Sequence, residues 1–391
     1  MPPLPPGCFC FPQALESLLA LLPRPWLDRF QIAAFPAPIS EGNFQRVLDF
    51  WKGRRIALVR QSASLVTYQA GSSSSSWIAT ALTTKGHPGP FSLLAELGAD
   101  FLVVRQEPDP ETFAWRGKHQ GDPDPAETFR RMEAYRQEEE SLPGVVNCGD
   151  VRWEDYDLVI TLDIPVPTRI VQRARSTLWA YFSIEAGGPL VEQSLLGPAA
   201  GYHLFLNHHF RRYRVRPPNR AHMLEFPFSF QSRRSWSALA AHLGIGGQPR
   251  SGVVADLPSA GEIPEPRDAG VHLMGVDNGR LDLAGLAALY GSKKYALRLD
   301  PRRRWGNWLV EVVQAGCLFL GRPDTLDNLS PLLPALAVRD YREARAVMAR
   351  LDADPALFST LHQLQSDITE HVAFRRPLAD LTAHARRFFH S

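Results

Sequence analysis

The sequence predicts an α/β protein built from two Rossmann-like, doubly wound domains. Short apolar segments of strand length alternate with helical segments in both halves of the 391-residue chain. The clearest such segment is DLVITL at 157–162, which is apolar enough to be buried on both faces of a sheet. Alternation of this kind is typical of parallel sheets that are covered by helices on both sides.

In the first half of the chain, predicted helices and strands alternate after a proline-rich start. Helical spacing predicts helices at 45–52, 91–97, 129–140 and 167–175. Apolar runs predict strands at 54–60, 101–104, 157–162, 178–183, 202–206 and 223–226. A doubly wound sheet binds ligands beyond the carboxyl ends of its strands, so the residues that follow these strands are candidates for a site.

The second half repeats the pattern more clearly. Strands are predicted at 252–255, 271–275, 295–299, 317–320 and 335–338. Helices are predicted at 283–290, 305–315 and 341–353, and residues 356–388 are expected to be mostly helical. The second half therefore predicts another parallel sheet followed by a helical tail.

Composition excludes several classes of protein. The formal net charge of +2 gives no overall basic field that would recruit nucleic acid. No apolar run approaches the roughly 20 residues that span a bilayer, although peripheral membrane contact stays open. The cysteines, Cys8, Cys10, Cys148 and Cys317, are too few and too scattered for a disulfide framework or a four-ligand zinc site. The amino terminus lacks a basic n-region, so we expect a cytoplasmic location.

One stretch carries a specific resemblance. Residues 288–301 (ALYGSKKYALRLDP) run into 305–321 (WGNWLVEVVQAGCLFLG), and DADPAL follows at 352–357. Over about 250–376 the chain resembles the donor half of GT-B glycosyltransferases, where a helix ends in a Y-x-x-S/A-K turn. There a helix of the form E-A-x-A-A-G-C/T-P-V-L/I closes the motif, as 311–320 does here.

The resemblance implies a domain organisation and a reaction. It implies an acceptor domain at 41–235 and a nucleotide-sugar domain at 236–345, facing each other across a cleft. Helices at 346–391 would cross back and brace both domains, and the arm at 1–40 has no assigned role. The reaction would move a sugar from a nucleoside-diphosphate sugar to a hydroxyl of a glycan, lipid, protein or small molecule. No cofactor or metal would be required.

The donor site is predicted around the start of the helix at 305–315. Gly306 and Asn307 would open this helix, so its backbone N–H groups could face a diphosphate. Lys294, Arg298 and the run 302–304 would supply positive charge as the bond to the phosphate breaks. Trp305 flanks the same loop, and the resemblance implies that Glu311 accepts hydrogen bonds from the ribose hydroxyls.

One position departs from the resemblance. Many retaining members of the family carry a second glutamate eight residues before the one that corresponds to Glu311, and in this sequence Arg303 occupies that position. The stereochemical outcome therefore stays open.

Candidates for the acceptor side follow strands of the first half. Asp163 comes directly after the strand at 157–162, and Glu185 follows the strand at 178–183. An inverting transferase needs a base to deprotonate the acceptor hydroxyl, and His203 is a further candidate. Asp122 and Asp124 spell a D-x-D metal motif in a proline-rich loop, where we interpret it as a chance match.

Two other functions share the predicted architecture. A nucleotide-sugar epimerase would keep the nucleotide site and cleave the donor without an acceptor. A catalytically inactive binding or scaffold protein would keep only the fold. The presence of Arg303 in place of the second glutamate favours this alternative. Dinucleotide, phosphate-loop and serine-hydrolase fingerprints are absent from the sequence.

Overall fold

The structure is a computed structural model that describes most, but not all, of the chain. The described residues are 39–61, 97–105, 145–162, 165–182, 201–207, 223–225, 233–246, 249–257, 270–274, 283–299, 307–322 and 332–390.

The chain divides into two compact units whose sequence ranges interleave. The N-terminal unit contains the described residues of Gln45–Phe228 and of Pro377–Ser391. The C-terminal unit contains the described residues up to Phe44 and those of Ser229–Arg376. The boundaries fall inside the first and the last described helices, so each of these helices belongs partly to both units.

The N-terminal unit contains a seven-stranded sheet in which all neighbouring strands are parallel. Its order is β3-β2-β1-β4-β5-β6-β7, which is the doubly wound arrangement. The strands are β1 (Ile56–Gln61), β2 (Asp100–Arg105), β3 (Val145–Asn147), β4 (Leu158–Leu162), β5 (Leu178–Phe182), β6 (Leu204–Asn207) and β7 (Met223–Glu225).

Aromatic side chains fill the core on one face of this sheet. Trp179 and Tyr181 are fully buried in β5, where every residue is buried. Trp153 and Tyr202 pack against Trp179, with ring centroids 5.4 and 6.0 Å away. The continuous apolar runs of the sequence are explained by this burial, since a central parallel strand has no solvent face.

The C-terminal unit contains a four-stranded parallel sheet of order β11-β10-β8-β9. Its strands are β8 (Val253–Asp256), β9 (Val271–Leu273), β10 (Tyr295–Arg298) and β11 (Leu318–Gly321). The predicted fold class is thus confirmed: the protein has two α/β units, each built on a parallel sheet.

The strand predicted at 335–338 is wrong. Pro334–Leu336 forms a 3₁₀ turn, and a single bridge joins Ala337 to Gly321. Proline fixes its own φ and has no N–H for a ladder, which favours a turn here. In addition, the outer edge of β11 is already paired at Phe319, whose N–H and C=O both bind the side-chain amide of Gln365.

The described helices agree with the sequence pattern in most places. They are α1 (Glu41–Trp51), α2 (Thr168–Val171), α3 (Arg233–His242), α4 (Leu283–Ser292), α5 (Asn307–Gln314), α6 (Tyr341–Ala353), α7 (Pro355–Glu370) and α8 (Arg376–His390). Helix α6 has the predicted bounds, and its N-cap Asp340 accepts a hydrogen bond from the Glu343 N–H at 2.8 Å. Helix α2 is shorter than the prediction at 167–175.

A π-turn, His371–Arg375, joins α7 to α8. Pro377 lies in the first turn of α8 and has no N–H to donate to the carbonyl group four residues earlier. A widened turn is a common way to accommodate such a missing bond within a long helix.

Candidate functional site

The C-terminal sheet has a topological switch point between β8 and β10. The chain moves from β8 to β9 on one side of the sheet, and then to β10 and β11 on the other side. Ligands of doubly wound sheets bind beyond the carboxyl ends of the strands at such a point. Asp256 and Arg298, the last residues of β8 and β10, are paired in register there.

Asp256 and Arg298 form a buried ion pair. The Arg298 Nε donates to Asp256 Oδ2 at 3.0 Å, and the two side chains are 4% and 5% exposed. Charges this deeply buried are tolerated only when they are paired and hydrogen-bonded. The pair therefore fixes the guanidinium group at the carboxyl edge of the sheet.

Helix α5 begins beside this pair. The Arg298 guanidinium carbon lies 4.7 Å from the centroid of the Trp308 ring, in the first turn of α5. The Trp308 ring in turn makes an edge contact with Phe319 of β11 at 5.9 Å. The first four N–H groups of a helix lack intrahelical partners and carry a partial positive charge, so this end of α5 suits an anion.

Glu311 lies one turn further along α5 and is only 8% exposed. It acts on the buried Tyr290 of α4: burial raises the pKa of the Tyr290 hydroxyl well above its usual value, and the Glu311 carboxylate raises it further. Arg298 has the opposite effect on the same hydroxyl. Arg298 and Glu311 thus act on the Tyr290 hydroxyl with opposite electrostatic effects.

The structure does not bring Lys294 to this edge. Lys294 precedes β10, so about four residues of strand, roughly 13 Å, separate it from Arg298. Its ammonium group pairs with Asp352 at 2.5 Å and lies 4.5 Å from the centroid of the Phe358 ring. Asp352 also accepts a hydrogen bond from the Tyr295 hydroxyl at 2.7 Å. Lys294 thus fastens the start of β10 to α6 and α7.

His203 lies at the amino end of β6, away from the carboxyl edge of its sheet. Its Nδ1 accepts a hydrogen bond from the Trp179 N–H at 3.0 Å, and its ring contacts Phe388 of α8 at 4.6 Å. These contacts assign His203 a structural part in joining β5, β6 and α8.

Several predicted site residues lie outside the described residues. They are Asp163, Glu185, Trp305 and Gly306, together with 302–304 and the D-x-D residues Asp122 and Asp124. The helix predicted at 305–315 is described over Asn307–Gln314. The catalytic assignments of Asp163 and Glu185 stay predictions.

Sequence reasoning missed Asp256 and Tyr290. A signal for Asp256 was present, because a lone carboxylate ends the apolar run VVAD and so stands at the carboxyl end of a buried strand. Tyr290 lies within the stretch that carries the resemblance, but no role of its own was predicted for it, since a tyrosine on an apolar helix usually belongs to the core.

Two kinds of feature are absent from the described residues. Within these ranges no three His, Cys, Asp or Glu side chains come together as metal ligands. None of the helices in the described part of the chain is both long and apolar enough to cross a lipid bilayer.

Comparisons with known proteins found similarity at the level of solved structures. No protein-family model matches the sequence, and no curated protein is similar to it. A sucrose-phosphate synthase from Thermosynechococcus elongatus is 13% identical, with a TM-score of 0.40 over 85% of this chain and 98% of its own. The Streptomyces sp. SF2575 glycosyltransferase SsfS6 is 12% identical, with a TM-score of 0.34 over 84% and 99%. A UDP-GlcNAc 2-epimerase from Neisseria meningitidis is 9% identical, with a TM-score of 0.39 over 85% and 100%.

Proposed function

We propose that this protein transfers a sugar from a nucleoside-diphosphate sugar to an acceptor hydroxyl. The observation that carries the proposal is the switch point of the C-terminal sheet. There the N-terminus of α5, the Asp256–Arg298 pair and the buried Glu311 lie in one neighbourhood. This combination suits a ligand that carries both phosphates and a polar sugar.

The diphosphate would bind at the start of α5. During transfer, the bond between the sugar carbon and the phosphate oxygen breaks, and a bond to the acceptor oxygen forms. The nucleoside diphosphate leaves with extra negative charge, which the N–H groups of α5 and the field of Arg298 would stabilise. The acceptor proton would pass to a base, for which Asp163 and Glu185 are the candidates.

Glu311 would hold the ribose of the donor. Its carboxylate is buried in the second turn of α5, one turn beyond the proposed diphosphate position. A carboxylate oxygen accepts hydrogen bonds from a diol, and such bonds are charge-assisted. Trp305 and Gly306 precede this helix and would border the same ligand, whereas Lys294 takes no part.

The proposal is tested first by binding. We expect one of UDP, GDP, dTDP, ADP or CMP to raise the melting temperature, because a ligand that binds only the folded state stabilises it. Turnover is then measured with sugars of that nucleotide. Epimerised sugar without any acceptor would identify an epimerase, and binding without consumption of any donor would identify a binding protein.

Replacing Glu311 gives the first specific prediction. Glu311→Ala should raise the donor KM about tenfold or more, because a hydrogen bond to a charged group contributes about 1.5–3 kcal/mol. Steady-state kinetics with the donor varied would measure it. Glu154→Ala, at an exposed position of the other unit, is the control and should behave as wild type. An unchanged donor KM in a folded Glu311→Ala protein would contradict the ribose role.

A further inference from the structure

Glu370 is a buried carboxylate that joins three helices. It is the last residue of α7, and it is 8% exposed. Its Oε2 accepts a hydrogen bond from the Gln314 side-chain amide of α5 at 3.1 Å. The same oxygen accepts one from the backbone N–H of Arg233, the first residue of α3, at 2.9 Å.

The contact with α3 is reinforced by the Arg233 side chain. Its Nη1 pairs with Asp367 Oδ1 at 2.9 Å and lies 3.4 Å from the Ser366 hydroxyl oxygen. Both partners belong to the last turn of α7. The N-terminus of α3 is therefore tied to α7 by backbone and side chain together, and Glu370 extends the tie to α5 through Gln314.

The position of Glu370 along the chain is also distinctive. The chain returns to the C-terminal unit at Ser229, shortly before α3, and leaves it for the second time after Arg376, shortly after Glu370. The π-turn His371–Arg375 lies between Glu370 and that exit. Glu370 thus joins α5 to α3 and α7, which lie next to this return and this second exit of the chain.

Burying a carboxylate is unfavourable in free energy, so a contact that only fills space is better made by an apolar side chain. Burial raises the pKa of Glu370, and the Arg233 N–H, the Arg233 charge, the Gln314 amide and Arg375 oppose that rise. Apolar residues of similar volume often give equal or greater stability at buried ionic positions. The carboxylate contributes orientation instead. Because one of its oxygens accepts hydrogen bonds from α3 and from α5, it fixes the orientation of these two helices relative to α7.

We propose that Glu370 is a positioning residue that sets the orientation of α5 and so presents the N-terminus of this helix to the donor diphosphate. The inference rests on the proposed function, since it assumes that a diphosphate binds there. Gln314 lies seven residues after Asn307, which is about 10 Å along the helix. A helix of this length is stiff, so a tilt at Gln314 moves the N–H groups at its start.

The test measures the affinity of the full-length protein for the nucleoside diphosphate that stabilises it, by calorimetry. Glu370→Ala and Gln314→Met each break the tie to α5, and each should weaken binding about tenfold, because α5 would no longer be held in the orientation that presents its N–H groups to the diphosphate. Glu370→Gln keeps an amide oxygen that can accept both bonds, so it should stay within about threefold of wild type. Ser359→Ala, at an exposed position of α7, is the control and should bind as wild type.

The double variant separates positioning from a general loss of stability. Glu370→Ala and Gln314→Met break the same hydrogen bond. The double variant should therefore bind the diphosphate no more weakly than the single variant that has the lower affinity. Additive losses, or wild-type affinity in a folded Gln314→Met protein, would overturn the inference and leave the proposed function standing. A wild-type protein that binds none of the diphosphates would overturn both.

Discussion

At the scale of single residues, the Asp256–Arg298 pair is the most consequential feature of the C-terminal unit. Both side chains are almost fully buried at the ends of neighbouring strands. Taking two charges out of water is unfavourable, and their mutual contact offsets part of this cost. We therefore expect stability and ligand binding to depend on this pair in different ways.

Removing one partner of the ion pair should lower the free energy of unfolding strongly, whereas replacing both with apolar residues should lower it only slightly. Asp256→Ala leaves a buried guanidinium without this carboxylate and should lower the free energy of unfolding by about 3–5 kcal/mol. The double variant Asp256→Leu with Arg298→Met should recover most of that loss, since apolar side chains suit a buried site. Urea denaturation would measure both.

The same double variant should nevertheless bind the diphosphate more weakly, because the positive charge of Arg298 is gone. Arg339→Ala is the stability control: Arg339 pairs with Glu343 on the surface, where ion pairs contribute little. If the double variant were as unstable as Asp256→Ala, the ion pair would not explain the loss.

At the scale of elements, α7 completes the four-stranded sheet. The Gln365 amide donates to the Phe319 carbonyl at 3.0 Å and accepts from the Phe319 N–H at 2.7 Å, so it occupies the place of a further strand on β11. One buried side chain thereby satisfies two backbone groups that would otherwise lack partners inside the protein. This arrangement also fixes the position of α7 relative to β11, and with it the position of Glu370 at the end of α7.

Replacing this amide should be strongly destabilising. Gln365→Leu has nearly the same volume but leaves a buried N–H and a buried C=O unsatisfied, which should lower the free energy of unfolding by about 2–5 kcal/mol. Gln363→Leu is the matched control, because Gln363 is exposed on the same helix and bonds only to Asp367 among the contacts described. Denaturant titration of the two variants would decide, and equal stabilities would contradict the role of Gln365.

At the scale of the whole molecule, the chain interleaves its two units. Helix α8 belongs to the N-terminal unit from Pro377 onward, although α7 belongs to the C-terminal unit. The Trp51 indole of α1 donates to the Thr382 hydroxyl of α8 at 2.8 Å, and both side chains are buried. The carboxyl-terminal segment is therefore part of the core of the N-terminal unit.

Thr382→Val tests this assignment. The substitution removes the acceptor for the buried Trp51 N–H, which should destabilise the N-terminal unit by about 1–3 kcal/mol. Hydrogen exchange followed by mass spectrometry should then show faster exchange in β1, β4 and β5 and unchanged exchange in β8, β10 and β11. Equal loss of protection in both sheets would contradict the division into units.

The sequence predicted the elements better than it predicted the site. Periodicity identified the strands of both sheets except β3, and it gave the bounds of α6, because local spacing of apolar residues reflects the face that is buried. It failed at 335–338, where a run of strand length became a turn because the amide of Gln365, 46 residues away from Phe319, had already paired with β11. No local pattern reports a partner at that distance along the chain.

By itself, the sequence determined that this protein is an α/β chain with two parallel sheets. Only the tertiary structure decided which charged residues meet. Lys294 and Arg298 stand four positions apart and look equivalent in the sequence, yet they lie at opposite ends of β10. One pairs with Asp352 of α6 and the other with Asp256 of β8. The partners of a buried charge are set by the packing of distant segments, because desolvation penalises any charge that packing leaves alone.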